Sequence, residues 1–88
     1  MKIVISDNAW EDYCHWQEAD AKTRRRINAL IRDCRRTPFK GTGKPEPLKG
    51  SLAGFWSRRI TREDRLVYRI AGKGDTQQLE IVQCRFHY

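Results

Sequence analysis

The sequence predicts an α+β domain, with two helices covering one face of a small, mainly antiparallel sheet in the order βααβββ. Three observations predict it. Two consecutive segments carry side chains at the helical spacing i, i+3, i+4, i+7. Three strand-like segments follow, separated by short turns, as in an antiparallel meander. A short apolar segment precedes the helices. Helices and strands segregated along the chain give a two-layer packing rather than an alternating parallel one.

Residues Lys2–Ile5 form the first, apolar strand. Ser6 and Asn8 both offer helix caps, and Asn8 with Glu11 has the spacing of a capping box. Trp10, Tyr13, Cys14 and Gln17 then mark the inner face of a short helix whose outer face is acidic. Asp20 can cap a second helix, with Ile27, Leu30, Ile31 and Cys34 facing the core. Arg24, Arg25, Arg26, Arg32, Arg35 and Arg36 occupy its remaining faces. Thr37-Pro38 ends it, because a residue before proline is disfavoured in the helical region. A long connection over residues 38–54 is punctuated by Pro38, Gly41, Gly43, Pro45, Pro47, Gly50 and Gly54. Long loops in compact domains are more often functional than idle.

The second strand spans residues 55–61 and turns at Arg62-Glu63-Asp64. The third, Arg65–Ala71, places Leu66, Tyr68 and Ile70 on one face and Val67 and Arg69 on the other. Gly72 and Gly74 turn the chain into the last strand, residues 79–85, with Leu79 and Ile81 opposed by Val82 and Cys84. The sheet face away from the helices, with arginines among apolar residues, is left partly open.

At 88 residues the chain is one domain, 1–88, with a modest core. Its 39% hydrophobic content is too rich in large side chains for a disordered segment. Charge supplies the first functional sign: 18 Lys+Arg against 11 Asp+Glu, a net +7. Up to Asp20 the only basic residue is Lys2, against Asp7, Glu11, Asp12, Glu18 and Asp20; from Lys22 onward the balance reverses. Such a segregated positive field suits a polyanion, nucleic acid above all, or else a surface kept charged for solubility. Cys14, Cys34 and Cys84 are odd in number and widely spaced, which supports neither a disulfide framework nor a zinc site. Reduced thiols and a cytoplasmic location are expected, with no secretory signal and no membrane span.

Cleaving RNA without a metal needs a base for the ribose 2′-hydroxyl, a cation for the transition-state phosphorane and an acid for the leaving 5′-oxygen. Metal-dependent cleavage needs clustered carboxylates or histidines. No such motif is present, so neither metal nor cofactor is expected. Glu46, between Pro45 and Pro47 and flanked by Lys44 and Lys49, is presented from a stiffened segment. On spacing alone it reads more simply as an ordinary loop glutamate. Arg58, Arg59, Arg62 and Arg65 carry planar donor forks suited to phosphate, or else pair with Glu63 and Asp64. His87 and Tyr88 close the chain. Histidine exchanges a proton near neutral pH, and tyrosine donates or stacks, although a chain end can also simply fray. His15 lies on the polar flank of the first helix. Trp10, Trp16 and Trp56 read as core or partner contacts.

Five stretches carry a resemblance over essentially the whole chain: Arg35-Arg36-Thr37-Pro38-Phe39, Gly43-Lys44-Pro45-Glu46-Pro47-Leu48-Lys49, Gly54-Phe55-Trp56-Ser57-Arg58-Arg59-Ile60-Thr61, Arg65-Leu66-Val67-Tyr68 and Cys84-Arg85-Phe86-His87-Tyr88. In this order and spacing the chain resembles the YoeB/Txe branch of the RelE toxin superfamily. The resemblance implies a RelE-like fold and a ribosome-dependent endoribonuclease that cuts messenger RNA in the decoding site. It implies Glu46 as general base, Arg65 as transition-state clamp and His87 as general acid, with Tyr88 assisting. Lys44, Lys49, Arg58 and Arg59 are the expected RNA contacts. A YefM/Phd-type antitoxin is implied as the neutralising partner, with operator DNA bound only through that antitoxin. Homodimers also occur in this branch. A non-catalytic RNA- or ribosome-binding module on the same scaffold is the alternative, and charge does not separate the two. Asp64 stands where relatives often carry histidine, either pairing with Arg65 or pointing away. The turn from Gly72 to Gln78 is longer than usual.

Overall fold

A computed structural model describes residues 1–87. The chain runs β1 (Lys2–Ile5), α1 (Asp7–Ala19), α2 (Ala21–Arg36), β2 (Glu46–Pro47), β3 (Trp56–Arg59), β4 (Arg65–Ala71) and β5 (Gln78–Gln83). Single 3-10 turns occupy Gly50–Leu52 and Gly74–Thr76. The five strands form one sheet in the order β1-β5-β4-β3-β2, with β1 parallel to β5 and the other pairs antiparallel. The α+β architecture is the expected one, with one addition. Part of the long connection joins the sheet as β2, where Glu46 pairs with Ser57 and Pro47 with Trp56. Proline cannot donate to a ladder, so a two-residue strand containing it is confined to the sheet edge.

The first helix differs in detail from its sequence reading. Ser6, not Asn8, is the cap: its Oγ accepts from the Ala9 N–H at 3.2 Å, while its own N–H donates to the Ile81 carbonyl at 2.9 Å. That second bond pins Ser6 to the end of β5 and leaves Asn8 inside the helix, without a capping box. The inner face is rotated accordingly. Ala9 is fully buried and Tyr13 and Trp16 pack on the core, whereas Trp10 is half exposed. Trp16 also donates its indole N–H to the Cys84 carbonyl at 2.8 Å.

Helix α2 follows its sequence closely. Asp20 caps it, accepting from the N–H groups of Lys22 and Thr23. Ile27, Leu30 and Cys34 are completely buried. Against this stripe pack Leu66 and Tyr68 of β4 and Leu79 and Ile81 of β5. Between β4 and β5 the pairing steps from Val67↔Gln83 to Tyr68↔Ile81, so Val82 is an extra residue on β5. Such a bulge reverses which face later residues point to. Cys84 therefore enters the core beside Ile81 instead of opposing it. All three cysteines are free thiols. Burial pushes the thiols of Cys34 and Cys84 up to about 11 and about 12, which keeps both protonated and inert. Among the described residues no helix is long and apolar enough to cross a membrane.

Candidate active site

Strand alternation sorts the residues of β3 and β4 onto two faces. Arg58, Leu66 and Tyr68 point toward the helices. Ser57, Arg59, Arg65 and Val67 therefore point to the other side. Val67 is buried yet stands outside the helix-side core, so it floors this second face. The ladder aligns Glu46, Ser57, Val67 and Gln83 in one row across four strands, with Arg59 opposite Arg65 in the neighbouring stretch. Strands lie about 4.8 Å apart and residues rise about 3.3 Å each. The backbones of Glu46 and Arg65 are then roughly 12 Å apart on this face.

Glu46 is exposed on this edge, with its carboxylate 3.6 Å from the Lys44 ammonium. Lys44 adopts a left-handed backbone (φ 54°), and Lys49 is exposed where the 3-10 turn begins. Arg59 is exposed as well. Arg65 is held: its Nη1 donates to the backbone carbonyls of Thr61, Arg62 and Asp64 at 3.0 to 3.2 Å. One nitrogen of the fork is thus engaged in fixing the other two. At the far end of the face Arg69 is occupied, donating to Glu80 at 2.6 Å and stacking over Phe55.

The end of the chain is tied down beside Arg65. The Arg65 N–H donates to the Phe86 carbonyl at 2.9 Å, and the Phe86 N–H donates to the Asp64 carboxylate at 2.6 Å. Phe86 turns the chain through a left-handed conformation (φ 66°). Asp64 therefore does not pair with Arg65: one carboxylate oxygen holds the tail and the other accepts from the Thr61 hydroxyl at 2.8 Å. Sequence reasoning missed this anchor, since nothing local marks a contact across the turn. His87 follows, lining a shallow pocket of about 390 Å³ with Asn8, Glu11 and Asp12 of α1 and with Gln83 and Phe86. Tyr88 lies outside the described residues.

Arg58 departs from its expected role. The resemblance implies an RNA contact, but Arg58 is completely buried on the helix side. Its guanidinium donates to Asp33, to the Tyr68 hydroxyl and to the carbonyls of Thr37, Lys40 and Thr42. That occupies all five of its N–H donors and leaves nothing for a phosphate. Strand phase is the physical reason, because Arg58 alternates with Ser57 and Arg59. The structure thus brings Glu46, Arg59 and Arg65 to one face, fixes the tail that carries His87 beside Arg65, and removes Arg58. Among the described residues no group of three or more His, Cys, Asp or Glu side chains stands close enough to hold a metal ion.

Residues 5–88 match the family model described as YoeB-like toxin of bacterial type II toxin-antitoxin system. Toxin YoeB of Escherichia coli K12 is 54% identical over 88 residues, covering all of both chains. A solved YoeB/ParE toxin from Agrobacterium tumefaciens is 59% identical, with a TM-score of 0.95 and complete coverage of both chains. YoeB of Staphylococcus aureus, solved as a heterotetramer with YefM, is 40% identical with a TM-score of 0.85, covering 100% of this chain and 98% of that one. The S. aureus protein has also been solved as a dimer.

Proposed function

The chain belongs to the YoeB-like toxins of bacterial type II toxin–antitoxin systems, and from that premise we propose that it is a metal-independent endoribonuclease cutting messenger RNA in the ribosomal decoding site. Glu46 takes the proton from the ribose 2′-hydroxyl of the cleaved nucleotide. The freed oxygen attacks the adjacent phosphorus. Negative charge grows on the phosphoryl oxygens and is met by Arg65, whose fork is pre-aimed by its backbone contacts. His87 gives its proton to the leaving 5′-oxygen, and Tyr88 orients the nucleotide. The products are a 2′,3′-cyclic phosphate and a 5′-hydroxyl.

The observation that carries this reading is the shared open face: the ladder aligns Glu46 toward β4, and the Arg65 N–H bond to Phe86 holds the tail alongside. Lys44, Lys49 and Arg59 supply the phosphate grip, with Arg58 excluded. The net charge of +7 favours capture of a polyanion. It also favours an antitoxin of the YefM/Phd kind, whose acidic tail covers the site; the S. aureus relative is itself solved as a heterotetramer with YefM. The toxin meets operator DNA only through that antitoxin, and it acts in the cytoplasm, where ribosomes are. The dimer of the S. aureus relative supports self-association here.

The test is to map product ends on ribosomes programmed with a defined messenger. The wild type should generate discrete ends within the decoding site, and Glu46→Ala should slow their appearance by about 10²-fold or more. Wild-type protein that binds ribosomes and generates no ends would favour a non-catalytic binding module.

A further inference from the structure

We propose that Arg58 is a positioning residue that sets Glu46 from the opposite side of the sheet; this rests on reading Glu46 as the general base. Three consecutive residues of β3 hold the segment that carries Glu46, each in a different way. Ser57 pairs with Glu46 in the ladder. The Arg59 N–H donates to the Gly43 carbonyl at 2.8 Å. Between them, the Arg58 side chain passes through to the helix side and collects the preceding loop. Its Nη2 donates to the Thr37 and Lys40 carbonyls at 2.6 and 2.9 Å, and its Nη1 to the Thr42 carbonyl at 3.0 Å and to Asp33 at 2.6 Å.

Other groups complete the cage. The Tyr68 hydroxyl accepts from Arg58 Nε at 3.2 Å and donates to the Pro38 carbonyl at 2.6 Å. Asp33 of α2 also accepts from the Thr42 N–H at 2.9 Å. That bond first, and then the Arg58 guanidinium, hold the Asp33 carboxyl down at about 2. Gly41 and Gly43 allow the close approach. Both have positive φ, and a Cβ at Gly43 would meet Leu30 at 2.9 Å and Arg58 at 3.1 Å, while one at Gly41 would collide with the Asp33 carboxylate.

A loop wound so completely around one buried cation has little freedom at its exit, and its exit is Lys44-Pro45-Glu46. Apolar side chains in place of the whole pair, Arg58 together with Asp33, could fill the same space at no greater cost in stability, because burying a charge is expensive even when it is paired. Five donors fanned onto the loop and its anchors do what an apolar side chain cannot: they fix the path of the backbone that aims the base.

The test is a double-mutant cycle. Arg58→Lys replaces five fixed donors by a point charge, and Tyr68→Phe removes one support with little change in volume. Each is made alone and together with Glu46→Ala, and cleavage on programmed ribosomes is followed at saturating toxin in single turnover. Misplacing a base should slow the saturating rate by about tenfold or more, with half-saturation unchanged. In the Glu46→Ala background the same substitutions should cost less than about twofold, since nothing remains to be aimed. Equal fold-losses in both backgrounds overturn the proposal, as does a Tyr68→Phe protein that is fully active. Should Arg58→Lys fail to fold, the Tyr68→Phe cycle decides alone. If Glu46→Ala itself cuts at the wild-type rate, the reading of Glu46 fails and the proposal falls with it, an outcome distinct from equal losses around a working Glu46.

Discussion

Arg58 and Arg59 are neighbours in the chain, yet they belong to different regions of the molecule. On the helix-covered face, Arg58 is sealed between α2, β3 and the long loop with every donor engaged. On the open face, Arg59 is exposed beside Arg65, and Glu46 stands two strands from Arg65. The same two strands build both. A strand's two-residue period divides one run of cations into a buried, fully bonded part and an exposed part. Charge density along the sequence therefore reports how many arginines a segment has, not what they do.

The largest effect expected is on stability. Arg58→Met takes the buried cation from the Asp33 carboxylate and the guanidinium's N–H groups from three loop carbonyls, and should cost about 3–5 kcal/mol in urea unfolding. Arg59→Met should stay within about 0.5 kcal/mol of wild type. Comparable losses at the two positions would break the comparison. The open face should show the reverse sensitivity. Glu46→Ala and His87→Ala should each slow single-turnover cleavage by about 10²-fold or more, while thermal unfolding stays at the wild-type temperature. A variant whose activity falls only in step with its melting temperature would return that residue to the structural class.

A pH titration sharpens the division further. Asp33 has a folded value of about 2, below its ordinary 3.8. Its contribution to stability is therefore fully present above about pH 4 and lost as pH falls toward 2. The stability gap between wild type and Asp33→Asn should be constant from neutral pH down to about 4 and then close. A gap that instead changes between pH 5 and 8 would place the titrating group elsewhere. The smallest effect concerns Arg59. In a Glu46→Ala background, Arg59→Ala should lower the salt slope of single-stranded RNA binding by about 0.7, without changing the stability. An unchanged slope would remove Arg59 from the phosphate contacts.

Much of this division was legible in the sequence, and the illegible parts share a cause. Helix α2 and strand β4 announced themselves because their signals are local: a cap at Asp20, an apolar stripe, a stop at Thr37-Pro38 and a clean alternation from Arg65 to Ala71. The face of α1 differs from its sequence signal by a rotation, since Trp10 looks like core and Ala9 does not, and the tie from Ser6 to Ile81 that fixes the phase is not local. Strand β2 is two residues long and half proline, below what periodicity can register. Arg58 could be told from Arg59 only by knowing which side of β3 faces the helices. Asp64, singled out as an oddity beside Arg65, holds the tail through a contact that no spacing reveals. Resemblance supplied roles for Glu46, Arg65 and His87; the fold adds that two of them share a face with Arg59 and that the third is tethered nearby.

The central claim is that the open face activates a ribose hydroxyl on the messenger itself. A messenger with a single 2′-deoxynucleotide at the cleaved position tests it most directly, on ribosomes programmed with that strand and with its all-ribose twin. The account predicts discrete cleavage of the ribose strand, ending in a 2′,3′-cyclic phosphate, and none of the deoxy strand at that position. Cutting of the deoxy-substituted bond at the normal rate would mean that another nucleophile attacks, and would contradict the role given to Glu46.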